Sequence, residues 1–330
     1  MQSFLNTLWY SNHVAWWLLY PFSLAFQVVA SLRKWFLCRF KQISSPVPII
    51  VVGNLTVGGV GKTPLVIALA NKLRQQGFKV GIVSRGYGAQ NKVFPQEVYP
   101  ESNPSQVGDE PVLIAQRTGC PVVIAPNRVS AVNTLLDKYS CDFIISDDGL
   151  QHYRMGRAME IVVIDGYRGL GNRLCLPAGP LRESPKRLKT ADLIVVNGGE
   201  WHNAYRMDLM PGEITSLKQG QTLKLTQLKQ PVAAFAGIGN PNRFFSLLDA
   251  LKINYQPYTF PDHYRYESEK LIFSENTMLM TEKDAVKCRE FAAENMYFLP
   301  VEAHLNEAFW NAFLSFALRN CKETAAPSME

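Results

Sequence analysis

From residue 47 onward, short runs of consecutive apolar residues alternate with longer stretches in which apolar positions recur every three or four residues. The runs at 49–52, 80–84, 122–125, 143–146 and 161–165 are rich in Val and Ile and carry no apolar–polar alternation. A strand covered on one face would alternate, so these runs predict strands buried on both faces. A second series lies at 193–197, 232–236, 278–281 and 297–300. The stretches near 64–76, 110–117, 129–139, 243–251 and 283–294 carry helical spacing. Strand and helix in alternation predict an α/β fold, with a mostly parallel sheet flanked by helices and joined by right-handed crossovers.

The pattern weakens twice. Residues 166–189 are rich in Gly, Pro, Leu and Arg without a period, and read as a loop-rich hinge or substrate wall. Residues 200–229 read as a weakly structured connection, with β-ribbon as one form it could take. The division expected is an N-terminal hydrophobic segment (1–41), a first α/β domain (42–199), a connection (200–229) and a smaller C-terminal α/β domain (230–330) that contributes to a cleft. Residues 323–330 read as a frayed tail.

The N-terminal segment changes the picture. Residues 14–32 read VAWWLLYPFSLAFQVVASL, long enough to reach across a bilayer at ~20 residues per span. Pro21 and the polar Ser23, Gln27 and Ser31 interrupt it, while Trp9, Tyr10, Trp16, Trp17 and Tyr20 cluster at one end as interfacial anchors do. Residues 1–32 contain no Asp, Glu, Lys or Arg, and Arg33, Lys34, Arg39 and Lys41 follow closely. With no basic stretch before the apolar run, a secretory signal is not expected. A helix packed on the protein's own core is one reading; the favoured one is a membrane-associating helix lying in the interface rather than spanning it. A span, if made, would leave the following basic cluster and domain on the cytoplasmic side.

The bulk numbers narrow the classes. The chain has 330 residues, 47% of them hydrophobic, enough for two cores. Net charge is +6, with Lys and Arg spread along the chain, so no nucleic-acid partner is expected. No pair of the six cysteines has CxxC spacing, which argues against a zinc site or disulfide framework and fits free thiols in a reducing cytoplasm.

The strongest chemical signal follows the first apolar run. Asn54 and Leu55 lead into Thr56-Val57-Gly58-Gly59-Val60-Gly61-Lys62-Thr63, and Pro64 suits the first turn of a helix. Strand, glycine turn, Lys-Thr and helix start together form a phosphate-binding loop, and make the fold P-loop NTPase-type. Glycines let backbone amides converge on phosphate oxygens, Lys62 can reach the β- and γ-phosphates of ATP, and the Thr63 hydroxyl can ligate Mg²⁺. Thr56 stands where the strict pattern has Gly. The GGxGKT form also occurs in partitioning ATPases, which usually carry Lys where this chain has Val57. A membrane-recruited ATPase switch of that type is therefore the alternative function, and it predicts dimer-dependent hydrolysis.

Acidic groups supply the rest of the site. The run 143–146 ends in Asp147-Asp148-Gly149, a Walker-B equivalent with one Asp near the metal, although Asp-Gly is also common in turns. Asp109 and Glu110 open a helix, where Asp109 is either a helix cap or the carboxylate that accepts a hydroxyl proton. Arg85 follows the second strand, Arg182 lies in LPAGPLRE, and either could clamp phosphate. His263 sits in a polar turn beside Asp262 and could orient a carboxylate across a cleft.

Together these segments resemble the tetraacyldisaccharide 4'-kinase family, the lipid A 4'-kinases of Gram-negative bacteria. The resemblance rests on VVGNLTVGGVGKTP, VSRGYG, VGDEPVLIA, SDDGLQHYRM, VVIDGYRGLGN, LPAGPLRE, FAGIGNPNRF, FPDHY and MTEKDAVKC, in family order over about residues 48–290. Asn240 departs from the His that the family often has after GIG. The resemblance implies transfer of the ATP γ-phosphate to the 4'-hydroxyl of tetraacyldisaccharide 1-phosphate, with Mg²⁺, at the cytoplasmic face of the inner membrane, by a chain expected to be monomeric. It puts Lys62 and Thr63 on phosphates and metal, and casts Asp109 as general base supported by His263. Asp147 and Asp148 fall in the metal and catalytic region, Arg85, Tyr87, His152 and Arg182 line the site, and Glu110 assists metal binding.

Overall fold

The computed structural model describes residues 7–11 and 14–325, with side chains through residue 320. Eight strands arise in order through the first part of the chain: β1 (Ile49–Gly53), β2 (Val80–Ser84), β3 (Gln96–Val98), β4 (Val122–Ile124), β5 (Phe143–Asp147), β6 (Met159–Asp165), β7 (Leu193–Asn197) and β8 (Tyr205–Pro211). Then come β9 (Ile214–Ser216), β10 (Thr222–Leu223), β11 (Val232–Ala236), β12 (Tyr255–Thr259), β13 (Thr277–Thr281), β14 (Met296–Leu299) and β15 (Val301–Leu305). The helices are α1 (Trp16–Phe40), α2 (Lys62–Gln75), α3 (Pro104–Val107), α4 (Asp109–Thr118), α5 (Arg128–Lys138), α6 (Pro241–Ala250), α7 (Glu282–Cys288) and α8 (Glu307–Ala325).

Two sheets result, a nine-stranded one ordered β15-β8-β7-β6-β1-β5-β2-β4-β3 and a six-stranded one ordered β10-β9-β14-β13-β11-β12. In the larger sheet β4, β2, β5, β1, β6, β7 and β8 run parallel, and only the edges β3 and β15 are antiparallel. β1, β2, β5 and β6 are buried along their whole length, as the unalternating apolar runs require. The chain order brings β1 between β5 and β6, so the loop leaving β1 opens at the centre of the sheet's C-terminal edge, where ligands gather in open α/β sheets.

Three departures from the sequence reading have physical causes. Residues 301–325, expected in the C-terminal domain, return to the larger sheet: β15 pairs with β8, and Phe309, Phe313 and Ala317, all fully buried, pack α8 into its core. The connection is divided as well, because β8 joins the larger sheet while β9 and β10 join the smaller. The helix expected over 283–294 stops at Cys288 and passes into a single 3₁₀ turn. Of the tail at 323–330, residues 323–325 continue α8 and 326–330 lie outside the described residues, as does the Cys321 side chain. The other five cysteines are free thiols.

α1 is 25 residues long and carries Pro21 inside. Its one buried residue is Ser23, whose Oγ donates to the Cys175 carbonyl at 2.7 Å. Trp17, Leu18, Phe22, Val29, Trp35 and Phe36 are exposed along it. No helix among the described residues is long and apolar enough to cross a membrane. Trp9, expected among the interfacial aromatics, is instead buried, with Nε1 donating to the Pro177 carbonyl at 3.0 Å. The aromatic cluster is thus partly an anchor for the 166–189 loop, which packs on a small apolar cluster of Leu55, Leu150, Val162, Leu170, Cys175 and Leu181.

Candidate active site

The loop from Asn54 to Gly61 is shaped by glycine at two positions. Gly58 and Gly61 have φ of 103° and 90°, the left-handed region that side chains disfavour. A β-carbon at Gly61 would also lie 2.2 Å from Asn197 Nδ2, whereas at Gly58 and Gly59 it would meet nothing within 4 Å. The loop is therefore packed below and open above. Buried groups fix its underside: Asn197 Nδ2 donates to the Val60 carbonyl at 2.9 Å, and Asn54 Nδ2 to the Thr56 carbonyl at 2.7 Å. Thr56 and Val60 are buried, and the Val57 amide donates to the Pro180 carbonyl at 2.9 Å. Lys62 and Thr63 begin α2, so both sit at the helix's positive end. Lys62 Nζ donates to Asn54 Oδ1 at 3.0 Å and lies 3.4 Å from Asp148 Oδ1.

The end of β5 faces this loop. Asp147 is buried and accepts from Ser84 Oγ at 3.0 Å through Oδ2, while Oδ1 is buried without a hydrogen-bond partner. Burial, and then the charges of Glu110 and Asp148, push the Asp147 carboxyl well above the usual carboxylate range. Asp148 takes φ 48° and turns away to meet Lys62 and Arg182, whose Nη1 donates to both oxygens at 3.2 and 3.1 Å. Against burial, those two cations hold its carboxyl far below the ordinary value. Two neighbouring carboxylates thus have opposite tendencies, one short of positive partners and one saturated with them.

Behind them stands Arg128, which the sequence reading passed over. It is almost fully buried at the start of α5, and donates to the carbonyls of Ala125 at 2.7 Å and Asp147 at 3.1 Å. Burial, then the charges of Arg128 and exposed Arg85, lower His152 to about 3, so its imidazole is neutral at pH 7. The only local sign of Arg128 is an arginine after an apolar run, a pattern too common to single out.

A second group of side chains comes from the other wall. Asp109 is buried at the first residue of α4, and His263 Nδ1 donates to its oxygens at 3.0 and 3.1 Å. Burial would raise the Asp109 carboxyl, but the His263 hydrogen bond and the Lys283 charge hold it down at about 2. His263 is raised in turn, with burial opposing and the bond to Asp109 prevailing. The Tyr87 ring lies 4.9 Å from the imidazole. Gly108 permits this approach, since a β-carbon there would come 2.8 Å from the Tyr87 carbonyl. Lys283 Nζ lies 2.9 Å from Glu110, 3.2 Å from Asp262 and 3.9 Å from Asp109, joining the start of α4 to the segment that carries His263. MTEKDAVKC contains this lysine, but nothing local marks its partners.

The sequence-predicted residues therefore form two facing sets: Lys62, Asp147, Asp148, His152 and Arg182 around the loop, and Asp109, Glu110, His263 and Tyr87 across from it. Gly239 joins them, since a β-carbon on it would lie 3.2 Å from the Gly59 nitrogen. No cluster of three or more His, Cys, Asp or Glu forms a metal cage among the described residues. The orphaned Asp147 Oδ1 with the Glu110 charge nearby is a hard-oxygen set suited to Mg²⁺, which ordinarily takes one or two carboxylates and completes its shell with phosphate and water. The whole constellation sets an open glycine loop with its lysine on one side against a buried, hydrogen-bonded carboxylate on the other.

Comparison with known proteins agrees with this arrangement. A family model described as tetraacyldisaccharide-1-P 4'-kinase matches residues 15–318. The tetraacyldisaccharide 4'-kinase of Legionella pneumophila strain Lens is 54% identical over 315 residues, covering 96% of this chain and 98% of its own length. That of Nitrosococcus oceani is 47% identical over 326 residues, covering 98% and 96%. The crystal structure of LpxK from Aquifex aeolicus in complex with ATP is 29% identical, superposes with a TM-score of 0.77, and covers 92% of this chain and 98% of its own. A match of this extent, over a site whose parts meet as the sequence motifs imply, shows that the chain belongs to the tetraacyldisaccharide 4'-kinase family of ATP-dependent kinases.

Proposed function

We propose that this chain transfers the γ-phosphate of ATP to the 4'-hydroxyl of tetraacyldisaccharide 1-phosphate, with Asp109 accepting the hydroxyl proton. The observation that carries this reading is the pair formed by Asp109 and His263, set across from the glycine loop. The amides of residues 58–61 and Lys62 bind the β- and γ-phosphates, while Thr56 and Val57, whose amide is held by Pro180, shape the loop beneath them. Thr63, Asp147 and Glu110 would hold Mg²⁺, which when bound neutralises charge on the transferring group. Arg182 and Asp148 set the position of Lys62, and Arg85, Tyr87 and His152 line the acceptor's approach. Phosphoryl transfer passes through a loose transition state, so the attacking hydroxyl must be aimed more than it must be made basic. A carboxylate already ionised and gripped by an imidazole at two oxygens does that.

The acceptor's acyl chains stay in lipid, and α1 supplies the contact. Its exposed Trp17, Phe22 and Trp35 enter the interface of the cytoplasmic leaflet, and Arg33, Lys34 and Arg39 meet anionic headgroups. The chain acts as a monomer. The partitioning-type switch has less support: Val57 replaces the Lys of that type, and its backbone is tied to Pro180 of the same chain. Incubation with γ-labelled ATP, Mg²⁺ and detergent-solubilised tetraacyldisaccharide 1-phosphate tests the proposal. Label in the lipid supports it; label released only as inorganic phosphate favours the switch and overturns it.

A further inference from the structure

We infer that Arg243 is a positioning residue for the phosphate-binding loop, acting across the cleft through Asn197. Arg243 stands on α6, in the half of the chain that builds the smaller sheet, and its guanidinium crosses to the larger one. Nη2 lies 2.8 Å from Asp165 Oδ1, at the end of β6, and donates to the Asn197 carbonyl at 3.2 Å, at the end of β7. Asn197 is buried, and its side chain supports Val60 and fills the space that the missing Gly61 β-carbon leaves. A continuous path of contacts therefore runs from Asp165 through Arg243 and Asn197 to the loop's underside.

The partners are themselves fixed. Asp165 is buried and its Oδ1 also accepts from the amides of Tyr167 at 3.0 Å and Arg168 at 3.2 Å. The Asn197 carbonyl also accepts from the Gly166 amide at 3.1 Å. Arg243 thus enters an acceptor site built by two adjacent strand ends, and its Nη2 serves carboxylate and carbonyl together. The same segment carries Gly239, the residue set against Gly59. One side chain accordingly ties the segment 237–243 to the loop's underside, while Gly239 lies against the loop at Gly59. The arrangement sets the spacing of the loop amides, and so the binding of nucleotide, rather than the delivery of the acceptor.

This inference rests on the proposed function only for ATP on the loop, and the test separates the two. Binding of a fluorescent ATP analogue with Mg²⁺ to the unmodified full chain checks the first; failure there removes the functional reading. Given binding, Arg243→Ala is expected to raise the ATP KM by roughly tenfold or more, the size of losing one charge-assisted bond pair, with the lipid KM little changed. Arg243→Lys should recover only part of the loss, and free guanidinium added to Arg243→Ala should restore nucleotide affinity. In an Asn197→Ala background, Arg243→Ala should add little, because the path is already broken. Additive effects in that cycle, or equal changes in the ATP and lipid KM, would overturn the inference and leave Arg243 as a structural ion pair. If Arg243→Ala does not fold, Arg243→Met, which keeps most of the apolar stem and removes the donors, decides: an unchanged ATP KM refutes positioning.

Discussion

Replacing Asp109 by Asn keeps the side chain's volume and removes the proposed proton acceptor. Asp109 accepts from His263 at 3.0 and 3.1 Å and from the Glu110 amide at 2.9 Å, so its position is over-determined before any substrate arrives. A positioned general base contributes about 10²–10⁴-fold. That range corresponds to about 3–5 kcal/mol of barrier, which sets the expected fall in kcat for Asp109→Asn. The carboxylate lies across the cleft from the phosphate loop, so the ATP KM should stay within about threefold, as for an interaction made only in the transition state. Loss of a first-turn acid from α4 removes up to about 1 kcal/mol of stability by the dipole argument, too little to mimic the kinetic loss. His263 acts through Asp109, so His263→Ala should slow turnover less, and in the Asp109→Asn background it should add almost nothing. Steady-state kinetics with ATP and lipid varied separately gives all these quantities. A kcat for Asp109→Asn within about threefold of the parent, or full additivity with His263→Ala, would refute the base role.

Three other outcomes follow from the same geometry. Lys62→Ala should raise the ATP KM and lower kcat together, since the proposed function has Lys62 serve bound and transferring phosphate alike; unchanged kinetics removes it from the site. Glu160 is buried, but hydrogen bonds from Arg187 and Arg157 (the latter at 2.8 Å) overcome burial and lower its carboxyl. A lowered folded value means stability present above the ordinary Glu range of ~4.3 and lost as pH falls through the folded value. The thermal midpoint should therefore drop more steeply below that pH in the parent than in Glu160→Gln, and parallel curves would contradict the assignment. Replacing Trp17, Phe22 and Trp35 together by Ser should abolish sedimentation with anionic vesicles while sparing ATP binding; undiminished sedimentation places the membrane contact elsewhere.

What the sequence made legible follows from what is local. The central strands β1, β2, β5 and β6 are long apolar runs because both faces are covered, so their positions stand out. Edge strands have no such signature: β12 reads YQPYT with no buried position, and β15 alternates apolar and polar residues over only five positions. The return of β15 and α8 to the larger sheet depends on tertiary packing of Phe309 and Phe313, which helical spacing alone cannot direct to one core rather than another. The phosphate loop was legible because its chemistry is contiguous. Asp109 and His263 are 154 positions apart, and only the resemblance to a family coupled them before the fold did. Arg128, Lys283, Asn197 and Arg243 went unnoticed for the same reason: each acquires meaning from partners on other elements.

The most direct test is to identify the atom that receives phosphate. Phosphorus–proton correlation spectroscopy on the lipid recovered after turnover with ATP and Mg²⁺ should show a new phosphomonoester coupled to the sugar proton at the 4' carbon, and no such signal with Asp109→Asn after equal time. A phosphoester at another hydroxyl, or inorganic phosphate with unaltered lipid, would contradict the proposed transfer.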